Sequence, residues 1–194
     1  MFPVNEKYQH TTLLAIDPGL NNVGIAIFTL KLEPFKIESI KAWTLKSEKL
    51  VDDSGLDDDD FIERLHKRKN IASALSKILH HYQPCIIVSE SPFFDRRKPG
   101  SFEVLSEVMT TIMDTLIDYD PNIQFTTIPP LVVKQVLGVA GQKGKEVIKE
   151  AMGKEHELLS ALEDDFEKLD DHAIDAIGVG HAYLVKKSGL ILKG

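Results

Sequence analysis

The sequence has little that would tie it to a membrane or to an oxidising compartment. It contains one cysteine, Cys85, among 194 residues, which excludes an internal disulfide. No run of about 18 apolar residues occurs, and this excludes a transmembrane helix of ordinary length. The first 12 residues also lack the basic start and apolar run of a signal peptide. We therefore expect a soluble, cytoplasmic protein in which Cys85 is a small buried hydrophobe.

Positive charge is also in short supply, since the formal net charge is −7 at pH 7. Such a deficit argues against nucleic acid as a partner, because phosphates attract cationic surfaces. The deficit is local, however, since six carboxylates are concentrated in residues 52–60. The bases form clusters, each of which is either a solvated helix face or a phosphate contact. These clusters are Arg64, Lys67, Arg68 and Lys69; Arg96, Arg97 and Lys98; and Lys134, Lys143, Lys145 and Lys149.

The order of apolar patterns predicts an α/β protein. Internal repeats and low-complexity linkers are absent, so we expect a single domain over residues 1–194 with its core at about 12–187. β-Branched and apolar runs predict strands at residues 12–16, 23–30, 37–45, 85–89 and 123–128. Helical spacing predicts helices at residues 61–79, 101–118 and 171–186, with a further helical region from residue 130. This order is that of a ribonuclease H-like fold, a five-stranded mixed sheet flanked by helices.

Two acids directly follow apolar strands. Asp17 ends the run of residues 12–16 before a Pro18-Gly19 turn, and Glu90 ends the run of residues 85–89. Hard divalent cations such as Mg²⁺ bind carboxylate oxygens that converge from separate elements. The pattern therefore favours a metal site, although Asp-Pro-Gly is also common in turns that have no further role.

The predicted last helix opens with more candidate ligands. His172 and Asp175 are three positions apart and therefore share one helix face, while another face remains free to pack. Neutral imidazole can bind a divalent metal or take part in proton transfer. Asp170 and Asp171 precede this pair and offer rival ligands. Acids at a helix start also interact favourably with the helix dipole, so capping is the alternative role for them.

Four segments, in this order, resemble the RuvC family of Holliday junction resolvases over about residues 13–184. Asp17-Pro-Gly, with Gly24 seven residues after the aspartate, is similar to the first motif. Glu90, with Phe93 three residues later, looks like the second catalytic acid and its aromatic partner. The remaining similarities are Pro130-Leu-Val-Val-Lys134 with Lys145 downstream, and the closing His172-Ala-Ile-Asp175.

The resemblance implies a metal-dependent endonuclease that cuts four-way DNA junctions as a homodimer. Its catalytic cluster would be Asp17, Glu90, His172 and Asp175, holding two Mg²⁺ ions for which Mn²⁺ can substitute, and Asp171 could replace or assist His172. Phe93 would stack against a base. The helix predicted at residues 101–118 is a candidate dimer surface, although core packing explains its apolar stripe equally well. Lys134 and Lys145 would contact phosphate, and the neighbouring bases Arg96, Arg97, Lys98 and Lys143 are further DNA-binding candidates.

Three other functions share parts of the pattern. Another nuclease of this fold, acting on branched DNA or RNA, would use the same acids, but the RNA-processing YqgF-like branch has an arginine in its first motif where this chain has Asn21-Asn22. An actin-like or sugar-kinase ATPase shares the Asp-x-Gly motif, yet needs two such subdomains where one is visible. A catalytically inactive binding module would not need four metal-ligating positions.

Overall fold

The computed structural model describes residues 10–50, 60–93, 99–142, 144 and 146–188. The strands within these ranges are β1 (His10–Asp17), β2 (Asn22–Leu32), β3 (Phe35–Lys46), β4 (Ile86–Glu90) and β5 (Gln124–Ile128). The helices are α1 (Asp60–Tyr82), α2 (Pro99–Tyr119), α3 (Pro130–Val136), α4 (Glu146–Met152), α5 (His156–Ala161) and α6 (Asp171–Ser188). Two short 3₁₀ helices, Ser47–Leu50 and Phe166–Lys168, complete the list.

The strands form one mixed sheet in the order β3-β2-β1-β4-β5. β2 runs antiparallel to both β1 and β3, whereas β4 is parallel to β1 and β5 is parallel to β4. The predicted five-stranded mixed sheet with flanking helices is therefore confirmed. Because β1, β3, β4 and β5 all run in the same direction, their carboxyl ends meet at a single edge of the sheet.

Each face of the sheet has its own hydrophobic core. Side chains of β1 alternate between the two faces, as the pleat of a strand requires. Leu13 and Ala15 pack with α6 and the short helices before it, whereas Leu14 and Ile16 pack with α1 and α2. All four side chains have no exposed surface. The central strand is thus buried on both faces, which holds its last residue in a rigid setting.

Helix α6 lies unusually close to the sheet. A Cβ atom added at Gly180 would stand 2.3 Å from the ring of Phe28 and 3.1 Å from the Cβ atom of Ala15. A carbon atom at this position would have to displace either the helix or the buried Phe28 ring. Glycine at position 180 therefore lets α6 rest directly on β1 and β2, and the start of α6 is brought to the carboxyl edge.

Element boundaries differ slightly from those predicted. α2 begins at Pro99 instead of near Ser101, and β4 extends through Glu90, whose backbone pairs with Ile128 of β5. Cys85 is half-buried and packs against the α6-side core, so it is less enclosed than expected. Across the described ranges, no helix combines the length and apolar character that a membrane crossing needs.

Candidate active site

Asp17 and Glu90 lie side by side at the carboxyl edge of the sheet. Each is the last residue of its strand, and the parallel register pairs Ile16 of β1 with Ser89 of β4. The next position on each strand is therefore an acid. Asp17 is only 7% exposed and Glu90 is half-buried. Both carboxylates are therefore positioned by strands of the sheet and not by loops.

Gly24 allows helix α6 to reach Asp17. It pairs with Asp17 across the β1–β2 ladder, and a Cβ atom at Gly24 would lie 2.0 Å from the backbone oxygen of His172 and 3.0 Å from the Cβ atom of Asp17. Any larger residue would push the first turn of α6 away from the sheet. The glycine seven residues after Asp17 thus has a steric reason, one that spacing alone did not disclose.

Asp170 caps helix α6. Its Oδ1 atom accepts a hydrogen bond from the Thr44 hydroxyl and another, of 3.1 Å, from the backbone N–H of Ala173. These bonds hold the pKa of Asp170 below its usual value against the opposing effect of burial. The capping interpretation is therefore correct for Asp170, whereas Asp171, the rival ligand, is exposed in the first turn of the helix.

His172 is bonded directly to Asp17. Its Nδ1 atom lies 2.8 Å from Oδ2 of Asp17, and the carboxylate accepts the hydrogen bond. The bond to Asp17 raises the pKa of His172. The pKa of Asp17 is raised as well, because its burial outweighs the stabilising effect of His172. A single pair thus holds a proton between a buried carboxylate and a half-exposed imidazole.

The remaining carboxylates carry mutually unfavourable charge. Burial first, and then the charges of Asp17 and Asp175, raise the pKa of Glu90 to about 8. Burial and the charge of Asp17 raise the pKa of Asp175 to about 7, against the opposing effects of His172 and Lys134. Lys134 also lowers the pKa of Glu90, so it lies near both acids. The three carboxylates are thus close enough to repel one another, and their surroundings favour a cation.

This donor set suits a hard divalent cation, because buried carboxylates from separate elements supply the oxygen atoms that Mg²⁺ prefers. The donors do not converge on one point, however: in the part of the chain that the structure describes, no three His, Cys, Asp or Glu side chains are arranged to hold a metal ion. Instead Asp17 is engaged with His172. The chemistry of the cluster fits a metal, and its side chains would have to rearrange to bind one.

Only part of the predicted nucleic-acid surface can be placed. Phe93 lies three residues after Glu90 and is 64% exposed, and Lys134 is half-buried on α3. Of the basic residues in α1, Arg64 and Arg68 bind Glu107 of α2, so they join helices instead of facing solvent. Arg96, Arg97, Lys98, Lys143 and Lys145 lie outside the described residues, as do residues 52–59 of the acidic segment 52–60.

Several solved structures that share this fold are those of Holliday junction resolvases. The chain matches Thermus thermophilus RuvC in complex with a Holliday junction substrate at 17% identity, with a TM-score of 0.65 over 93% of this chain and 97% of that one. It matches the yeast mitochondrial Holliday junction resolvase Ydc2 at 13% identity, with a TM-score of 0.61 over 91% of this chain and 80% of that one.

The fowlpox virus resolvase bound to Holliday junction DNA matches at 16% identity, with a TM-score of 0.51 over 91% of this chain and 98% of that one. The chain has the ribonuclease H-like fold of these resolvases. No protein-family model matches the sequence, and no curated protein sequence matches it. The resolvase fold accounts for the sheet order and for the position of α6, while the roles of the individual side chains depend on the site itself.

Proposed function

We propose that this protein is a structure-selective endonuclease that cuts four-way DNA junctions by metal-dependent hydrolysis of a phosphodiester. The observation that carries the proposal is the cluster at the carboxyl edge, where Asp17 contacts His172 and the charges of Asp17, Glu90 and Asp175 act on one another. Such a cluster is costly to maintain in a folded protein unless a function needs it. The resolvase fold supports the choice of reaction.

Asp17, Glu90, His172 and Asp175 would hold two Mg²⁺ or Mn²⁺ ions, and Asp171 is a reserve ligand on the exposed side. When bound, such ions activate a water molecule and stabilise the leaving oxygen. The positions of these residues in the fold suit them to hold the ions. Two acids come from strand ends whose backbones are held by the sheet ladder, and two ligands come from the first turn of a helix that Gly24 admits. Because strands and helices are rigid, the backbones of these ligands keep their relative positions when a cation binds.

His172 controls the Asp17 carboxylate. In the described structure the imidazole of His172 is hydrogen-bonded to Oδ2, one of the two carboxylate oxygens of Asp17, and the two groups share a proton. When Asp17 and His172 bind a cation, the proton would pass from the pair to solvent, because only a neutral imidazole can bind a metal. Lys134, which weakens the repulsion between Glu90 and Asp175, would face the incoming phosphate. Phe93, which is exposed three residues after Glu90, would stack on a base at the branch point.

The decisive experiment offers the protein synthetic DNA and RNA of several shapes. A four-way junction, a matched linear duplex and single-stranded RNA are incubated with wild-type protein in Mg²⁺ or in EDTA. We expect cutting of the junction alone, and only with Mg²⁺. Asp17→Asn should abolish cutting while junction binding in a gel-shift assay persists, because the substitution removes a ligand without adding charge. If the RNA is cut while the junction stays intact, the proposed substrate is wrong. If a parallel assay shows ATP hydrolysis and no nucleic acid is cut, the proposed reaction is wrong.

We propose further that two copies act together, one on each strand. The stripe of α2 formed by Val108, Ile112 and Leu116 is buried in the core, so core packing explains it. The same helix also exposes Met113 at 45% and Ile117 at 55%, which is apolar surface that a second copy could cover. Sedimentation analysis should give a dimer for the wild-type protein. A monomer from Met113→Glu with Ile117→Glu would support this surface, and an unchanged dimer would exclude it.

A further inference from the structure

Lys67 is a buried lysine that the proposed chemistry does not use. Its residue is 7% exposed, and buried lysines normally have partners. The ammonium lies 2.5 Å from a carboxylate oxygen of Glu63 and 3.4 Å from one of Glu48, and it donates a 2.9 Å hydrogen bond to the side-chain oxygen of Asn21. A single cation thus joins α1, the 3₁₀ helix after β3, and the turn between β1 and β2.

That turn leads directly out of Asp17. It runs from Pro18 to Asn21, and it is held from the same side by Ser47. The Ser47 backbone N–H donates to the Asn21 carbonyl at 3.0 Å, and its hydroxyl donates to the Leu20 carbonyl at 2.6 Å. Ser47 is fully buried. A side-chain hydrogen bond from Asn70 of α1 to the Ser47 carbonyl, at 3.2 Å, completes the network.

We propose that Lys67 is a positioning residue for the catalytic cluster, acting through Asn21 to hold the turn that follows Asp17. The inference rests on the proposed nuclease function for its effect on cutting. The function of a carboxylate that binds a cation is sensitive to displacements of about 1 Å. Its position usually depends on supporting side chains that do not themselves contact the cation. Within the described ranges Lys67 contacts Glu63, Glu48 and Asn21 and not the carboxylates of the catalytic cluster, so it acts by holding the backbone of the turn.

The alternative, that Lys67 only stabilises the fold, is weakened by the exposure of its partners. The side chains of Glu63 and Glu48 are 62% and 67% exposed, and Asn21 is exposed as well. When the ammonium is removed, all three can bind water, so no buried polar group is left unpaired. The contact with Asn21 is the one that reaches the site.

The test compares two substitutions that each remove one member of the hydrogen bond between Lys67 and Asn21. Lys67→Met and Asn21→Ala should each slow the cutting of a saturating four-way junction by about tenfold, with the dissociation constant of the junction unchanged within about twofold. Glu63→Gln is the control, because it weakens an ion pair of Lys67 and leaves the turn contact; it should cut at the wild-type rate. The double variant of Lys67 and Asn21 should be no slower than either single one, because both act through one hydrogen bond.

A second measurement does not depend on cutting. Hydrogen exchange of the Ser47 amide, which donates to Asn21, should be faster in Lys67→Met and unchanged in Glu63→Gln. If wild-type protein fails to cut junctions while this difference in exchange appears, the proposed function is wrong and the turn contact stands. If wild-type protein cuts, but Lys67→Met cuts equally well or slows only in proportion to unfolding, the positioning role is refuted.

Discussion

Glu90 should destabilise the protein that it serves. Its pKa is raised from 4.5 to about 8, so the folded state holds this carboxyl in its charged form less readily than the unfolded chain does. The sign follows from linkage: the unfavourable contribution is absent below pH 4.5, grows as pH rises, and is complete above pH 8. Replacing Glu90 with glutamine removes the charge and keeps the shape, so the metal-free variant should be more stable than the wild-type protein.

The size of the gain can be worked from the shift. One pKa unit corresponds to about 1.4 kcal/mol, so a rigid site would give ~5 kcal/mol for Glu90. Neighbouring side chains and water relax around a charge and reduce such penalties, and the favourable effect of Lys134 is lost in the variant. We therefore expect Glu90→Gln to raise the free energy of unfolding by about 2 kcal/mol at pH 8.5 and by less than about 0.5 kcal/mol at pH 5.

Urea unfolding in EDTA, followed by circular dichroism at both pH values, measures this gain. Glu103→Gln is the matched control, since it removes the same charge from an exposed position on α2 and should change stability by less than about 0.5 kcal/mol. Adding Mg²⁺ at pH 8.5 should then stabilise the wild-type protein and not the Glu90 variant. Two results would refute the idea that the Glu90 charge destabilises the folded state: a Glu90 variant that is less stable than wild type in EDTA, or one whose gain in stability is the same at pH 5 and pH 8.5.

Three further changes probe other parts of the molecule. Gly24→Ala should cost about 3 kcal/mol or more and abolish cutting, because its Cβ atom would meet the His172 backbone, whereas Gly100→Ala has open space and should be neutral by thermal melting. His181 is 3% exposed with an unpaired Nδ1 atom, and burial lowers its pKa to about 4. Protonation of His181 should therefore cost the folded state about 2 kcal/mol as pH falls from 6.5 to 4, and a urea series should show His181→Leu gaining stability relative to the wild-type protein by about this amount over that range. Lys134→Gln should weaken junction binding and reduce its salt dependence by about one phosphate contact; unchanged salt dependence would remove it from the interface.

Much of the fold followed from the pattern of apolar residues. Strands alternate or run apolar because the sheet has a core on each face, and such a pattern survives in any single sequence. The two strand-end acids, Asp17 and Glu90, could be named from the same pattern, because a charged residue that ends an apolar strand lies at the edge of the sheet. The pair His172 and Asp175 was named from helical spacing. In the structure His172 is hydrogen-bonded to Asp17, and the charges of Asp17 and Asp175 act on Glu90.

Other features depended on contacts between distant segments. The capping role of Asp170 depends on Thr44, which lies 126 positions away. The buried state of Lys67 depends on a turn 46 residues earlier in the chain, so in sequence it looked like any other base on α1. The steric role of Gly24 depends on the His172 backbone. In each case the partner is supplied by the packing of one element on another, which local patterns do not record.

The sequence by itself determined the order of strands and helices and the residue types at the proposed site, because periodicity and strand-end charge are local properties of the chain. Only the tertiary structure decided how those residues influence one another. Burial and mutual repulsion raise the carboxyl pKa values at the sheet edge, and a hydrogen bond joins Asp17 to His172 across 155 positions. The physical reason is that electrostatic and steric interactions depend on distance in space, and folding sets that distance.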